Sequence, residues 1–85
     1  MLFSHVFAVT AAPTVINQND LGAQTCDNYS IIVAGPAASV KYKIKGATNQ
    51  VDLGELTGQN KLEVGDITEF ELISASATEV IIQGF

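Results

Sequence analysis

The sequence predicts an all-β fold, a small antiparallel β-sandwich or barrel of six to seven short strands with an N-terminal strand and arm. Three observations predict it. Apolar and polar residues alternate with a period of two along several stretches, glycine-bearing turns interrupt those stretches at intervals of roughly 8 to 12 residues, and apolar residues never recur at helical spacing. The 85 residues have room for one domain. It divides into residues 1–28, a strand followed by an extended arm, and residues 29–85, a β-meander core.

Residues 2–10 form the first expected strand, with Phe3, His5, Phe7 and Val9 on one face and Leu2, Ser4, Val6 and Ala8 on the other. Both faces are apolar enough to be covered. Residues 11–28 read as a polar connection, carrying Asn17, Asn19, Asp20 and Gly22 and interrupted by Val15, Ile16 and Leu21. A connection of that length is long for a compact domain and suggests an arm. Residues 29–34 (YSIIVA) are a β-branched run ended by Gly35-Pro36, since proline cannot donate to a central ladder. Residues 39–45 alternate without exception, placing Val40, Tyr42 and Ile44 inward and Lys41, Lys43 and Lys45 outward.

Short strands are then expected around Val51 and Leu53, around Leu62 and Val64, at residues 67–74 with Phe70 and Leu72 against Glu69 and Glu71, and at residues 78–85 (TEVIIQGF). Register predicts a core of Phe7, Val9, Ile31, Val33, Val40, Tyr42, Ile44, Leu53, Leu56, Leu62, Val64, Phe70, Leu72, Val80 and Ile82. The lysine stripe either faces Glu69, Glu71 or Glu79 across strands or guards an exposed edge.

Composition narrows the function classes. Nine acidic and four basic residues, all four of them lysine, give a net charge of -5, which argues against a nucleic-acid partner held by phosphate contacts. Charged residues make up 15% of the chain while 47% are hydrophobic, against roughly 25% charged in a typical soluble domain. No apolar run approaches the roughly 18 residues of a membrane span, so the surplus apolar surface is expected to meet other protein. The apolar N-terminal stretch lacks the positive region of a secretion signal and is expected to be part of the fold. Asn28-Tyr29-Ser30 fits the glycosylation pattern, which without such a signal reads as chance.

Chemistry-bearing constellations are sparse. A single cysteine, Cys26, excludes an internal disulfide and a multi-cysteine zinc site, and the negative charge of Asp27 beside it makes the thiol a poor nucleophile. His5 is the one histidine, in an apolar strand, and the first carboxylate of the chain is Asp20. A packed or interface histidine is expected there. Asn17, Asn19, Asp20 and Asp27 offer hard oxygen ligands, but their spacing is not that of a calcium loop and suits side-chain-capped turns. The acids of the second half are spread as on a solvated face. No phosphate-cradling glycine loop is present, and six aromatics without tryptophan make a weak sugar-stacking platform. The expectation is a non-enzyme, with no catalytic residue, cofactor or metal assigned.

Residues 29–85 also carry a likeness. An apolar strand opened by Tyr29, a turn, the alternating VKYKIKG strand ending at Gly46, a polar loop, a leucine-bearing short strand, Ile67-Thr68 leading to Phe70 and Leu72, and a last strand closing on Gly84 follow in that order. This order resembles small β-sandwich accessory proteins of tailed-phage virions: capsid decoration or cement proteins, head fibres and tail appendages. The resemblance implies a virion component made in the bacterial host cytoplasm, bound to a major capsid or tail protein and to copies of itself, commonly as a trimer. The assembly surface is expected from Leu2, Phe3, Val6, Val15, Ile16, Ile73, Ile81 and Phe85. The alternative is a carbohydrate or host-surface binding module of a fibre or tail, using loops around Tyr29, Asn49 or Asn60.

Overall fold

The computed structural model describes residues 1–22 and 26–85. Among them six strands form one curled antiparallel sheet: β1 (Phe3–Val9), β2 (Thr14–Asn17), β3 (Tyr29–Ile44), β4 (Val51–Leu62), β5 (Ile67–Ile73) and β6 (Thr78–Gly84). The order is β1-β6-β3-β5-β2, with β4 paired to β3. The all-β expectation therefore holds, while the meander does not. β5 and β6 both return to β3 and pair outward with β2 and β1, so successive strands after β4 are not neighbours.

The long strand β3 organises this arrangement. Its first half pairs β6 through Tyr29 to Val33, and its second half pairs β5 through Ser39 to Ile44. β4 follows β3 across both halves, with Val33 opposite Gly58 and Ala38 opposite Leu56. Four residues, Ala34 to Ala37, thus oppose Thr57 alone. This surplus is a large irregular bulge that bends the strand and divides the sheet into two half-sheets, β1-β6-β3-β4 and β2-β5-β3-β4. Gly35-Pro36 does not end the strand as expected, because within the bulge no ladder bond is asked of the proline nitrogen. At Gly35 (φ 147°) an added Cβ would lie 2.8 Å from Thr78 Oγ1, so glycine is the residue that fits the corner.

Ser74 holds the corner from the other side. Its Oγ lies 2.6 Å from both Ala37 O and Ser76 O, and its N–H donates to Thr10 O at 2.9 Å. One residue thereby ties the end of β1, the bulge of β3 and the β5–β6 turn.

The expected arm is only partly an arm. Thr14 to Asn17 is β2, paired with β5 so that Ile16 faces Phe70, and Ile16, Leu21 and Cys26 are buried in the core. Four residues are too few for alternation to reveal. Residues 23–25, within that stretch, lie outside the described residues. The two short strands expected around Val51 and Leu62 are one strand, β4, and Val64 lies beyond its end.

Of the expected core, Val9, Ile31, Val33, Val40, Tyr42, Phe70, Leu72, Val80 and Ile82 are buried, and Phe7, Leu53, Leu56, Leu62 and Val64 pack half-buried against them. Ile44 is exposed instead, because the register slips between Lys43 and Ile44 at the very end of the strand. Tyr29, Ala38 and Ile67 complete the core. Tyr29 meets Phe70 edge-on at 5.7 Å between ring centroids, which joins the two half-sheets through one aromatic pair.

Candidate functional site

Cross-strand register sorts the outward side chains of the two half-sheets into rows of different chemistry. On β2-β5-β3-β4 the row is charged: Val15 is followed by Glu71, Lys41 and Asp52, and the next row runs Asn17, Glu69, Lys43. Lys43 Nζ stands 3.9 Å from Glu69 Oε2, and Gln50 Nε2 donates to the same oxygen at 3.2 Å. The lysine stripe thus meets Glu69 and Glu71, while Glu79 lies on the other half-sheet opposite Ala8.

On β1-β6-β3-β4 one outward row is apolar up to its β4 end, where Gln59 closes it, and the next row, Ser4, Gln83, Ser30 and Lys61, is polar. Val6 stands beside Ile81, which stands beside Ile32. Leu2 and Phe85 lie on the same face by strand alternation, separated from that row by Ser4, Gln83 and Ser30. Val6 is 58% exposed, Leu2 50% and Phe85 42%. Four of the eight residues expected at an assembly surface, Leu2, Val6, Ile81 and Phe85, therefore share one face, and Ile32 joins them.

The other four do not. Ile16 is 2% exposed and belongs to the core, because β2 turns it toward Phe70. Phe3 points to the concave side, half-buried. Val15 and Ile73 sit on the charged half-sheet, Ile73 opposite Ser39. Ile32 was legible only as part of a run apolar on both faces, so sequence alone left its direction open.

His5 sits between Phe3 and Phe7 on the concave side of β1, its ring 5.6 Å from Phe3 and 6.3 Å from Phe7. Its ring is stacked on that of Phe3 and tilted against that of Phe7. Cys26 is buried, and burial pushes its thiol above the ordinary 9.0; the nearby charge of Asp27 acts in the same direction and the Tyr29 hydroxyl against it. Asn17 Oδ1 accepts from the N–H groups of Asn19 (3.0 Å) and Asp20 (3.1 Å), and Asp20 Oδ2 from that of Asn17 (2.9 Å). These side chains close a turn. No cluster of three metal-ligating side chains occurs among the described residues.

A groove of about 410 Å³ lies at one end of the apolar face, between Asn28, Ser30, Lys61, Glu63 and Phe85. Ser30 is 3% exposed, and its Oγ has no hydrogen-bond partner among the described residues. Two of the residues expected around a sugar site are committed elsewhere. The hydroxyl of Tyr29 is bonded inside the core to Ile67, and the Asn60 amide donates to Ile31 O, Thr57 O and Gly58 O. Asn49 stays exposed in the β3–β4 connection.

Compared with known proteins, the chain matches no family model and no curated sequence.

Proposed function

We propose that the chain is a non-enzymatic structural subunit of a phage virion, a capsid decoration or cement protein that works through protein–protein contacts. The observation that supports this reading is the outward row Val6–Ile81–Ile32, with Leu2 and Phe85 on the same face. The other half-sheet presents charged side chains in the equivalent rows, Glu71, Lys41 and Asp52 in one and Glu69 and Lys43 in the next. At about 25 cal/mol per Å² of apolar surface removed from water, covering this row contributes strongly to association, and an outer sheet surface with a polar margin suits a protein partner better than a small substrate. The partners are a major capsid or tail protein and further copies of the chain.

Genomic neighbourhood supplies the probe. With capsid, portal or tail genes beside the coding sequence, particles of that virus are assembled without the subunit and incubated with the purified protein. Cosedimentation of the wild-type protein, and its loss in Ile81→Lys with the fold intact by circular dichroism, is the expected result. Neighbouring genes of unrelated metabolism, or particles that never take up the protein, overturn the reading.

The sugar-binding alternative has one supporting observation, the groove beside Ser30, where Phe85 offers an apolar wall and Asn28, Lys61 and Glu63 offer polar groups. A glycan array without hits removes it.

A further inference from the structure

Three strands leave a backbone edge unpaired among the described residues: β1, β2 and β4. Exposed edges invite further pairing unless they are blunted, and two of the three are. β4 is interrupted by Gly54 and Gly58 at positive φ (74° and 61°), and Asp52 Oδ1 occupies the N–H of Gly54 at 2.8 Å. β2 has four residues and ends in the turn closed by Asp20. β1 carries none of these devices. Its seven residues, FSHVFAV, contain no charged side chain, proline or glycine, and it runs beside β6 for seven consecutive pairs without a slip.

Hydrogen-bond alternation shows which backbone groups are free. Phe85 N–H donates to Asn28 O (2.9 Å) and Asn28 N–H to Phe85 O (3.3 Å), so the odd-numbered positions at the end of the chain bond toward β3. The even-numbered residues of β6 then bond to Phe3, His5, Phe7 and Val9, because the two sides of a strand alternate. The N–H and C=O groups of Ser4, Val6 and Ala8 therefore face away from the sheet, six groups in all.

We infer that β1 pairs antiparallel with β1 of a second copy of this chain, about a two-fold axis at Val6. In that register Val6 faces Val6 of the partner subunit and Ser4 faces Ala8 of the partner subunit. The three resulting bonded pairs satisfy all six free groups on each copy. On the outward side the row Ile32–Ile81–Val6 runs on across the axis into its own mirror sequence, doubling the apolar row. On the concave side His5 meets Phe7 of the partner subunit, extending the half-buried aromatic row. Charge favours this edge as well. Each copy carries -5, and pairing through β4 would bring its ionised side chains Asp52, Glu55 and Lys61 to the axis, whereas β1 brings none.

The pairing rests on the assembly reading and deepens it, with a two-fold axis in place of the three-fold that the resemblance implies. Sedimentation equilibrium and amide exchange on the wild-type protein test it. A dimer of twice 9.0 kDa is expected, with slow exchange at Ser4, Val6 and Ala8 that becomes fast on dilution. Val6→Pro removes an N–H that β6 does not use, a place where an edge strand tolerates proline, and Val6→Lys puts a cation on each side of the axis. Loss of two hydrogen bonds raises the dimer dissociation constant by about tenfold or more. If Val6→Pro unfolds, Val6→Lys decides. A wild-type monomer throughout the micromolar range, or a dimer that both variants leave intact, overturns the pairing. A monomer that binds virus particles all the same, through a foreign strand or the sheet face, sinks the pairing and leaves the assembly reading standing.

Discussion

The Tyr29 hydroxyl is bonded at both ends to one residue: it accepts the N–H of Ile67 at 3.2 Å and lies 3.4 Å from Ile67 O, to which it donates. Tyr29 opens β3 and Ile67 opens β5, so a side chain from one half-sheet completes the backbone of the other inside the core. Tyr29→Phe keeps the ring against Phe70 but strands the Ile67 N–H, and an unsatisfied buried donor costs about 1–3 kcal/mol. Urea unfolding should show that loss as a lower midpoint with an unchanged slope.

Alkaline pH should destabilise the protein through the same tyrosine and its neighbour Cys26. Burial raises both the Tyr29 phenol, above its ordinary 10.0, and the Cys26 thiol, above 9.0. Above those ordinary values the unfolded chain releases protons that the folded chain retains, so stability is complete at neutral pH and falls as pH rises from about 9 upward. Urea midpoints measured from pH 7 to 11 check this, and the decline should be shallower in Tyr29→Phe and in Cys26→Ala.

Ser74→Ala removes the hydroxyl that bridges the β3 bulge and the β5–β6 turn. The expected loss is about 1–2 kcal/mol. Hydrogen exchange should localise the loosening to residues 34–37 and 74–77, and uniform change along the chain would contradict this assignment.

Gly84→Ala should cost more than its size suggests. A Cβ there would overlap the Phe3 ring and the Cys26 sulfur, and overpacking of this kind costs about 1–3 kcal/mol. Trimming the ring in a Phe3→Leu background should recover part of the loss, because residues in contact do not act additively. Thermal melts of the two single variants and the double variant measure the coupling.

Lys43→Ala, by contrast, should change stability by less than about 0.5 kcal/mol. Its partner Glu69 is 3.9 Å away, and both side chains keep about a third of their surface in water (33% and 27%), where ion pairs are screened. The same urea titration gives the comparison.

Much of the fold was legible because alternation is a local property. Residues 39–43 and 69–72 declare their inward and outward sides by themselves, and the core follows. What was hidden depends on partners far along the chain. Ile16 looked like a surface residue because β2 is four residues long and is defined by β5, more than fifty positions later. Pro36 looked like a strand end because nothing near it announces a bulge. Among the expected assembly residues, Leu2, Val6, Ile81 and Phe85 came together since each lies outward on a regular strand, whereas Phe3 and Ile16 face inward for reasons of register.

Because the bent strand β3 belongs to both half-sheets, neither can come apart while the other stays whole. Melting is therefore a single event: calorimetric and van't Hoff enthalpies should agree, and no partly molten species with one exposed edge should accumulate.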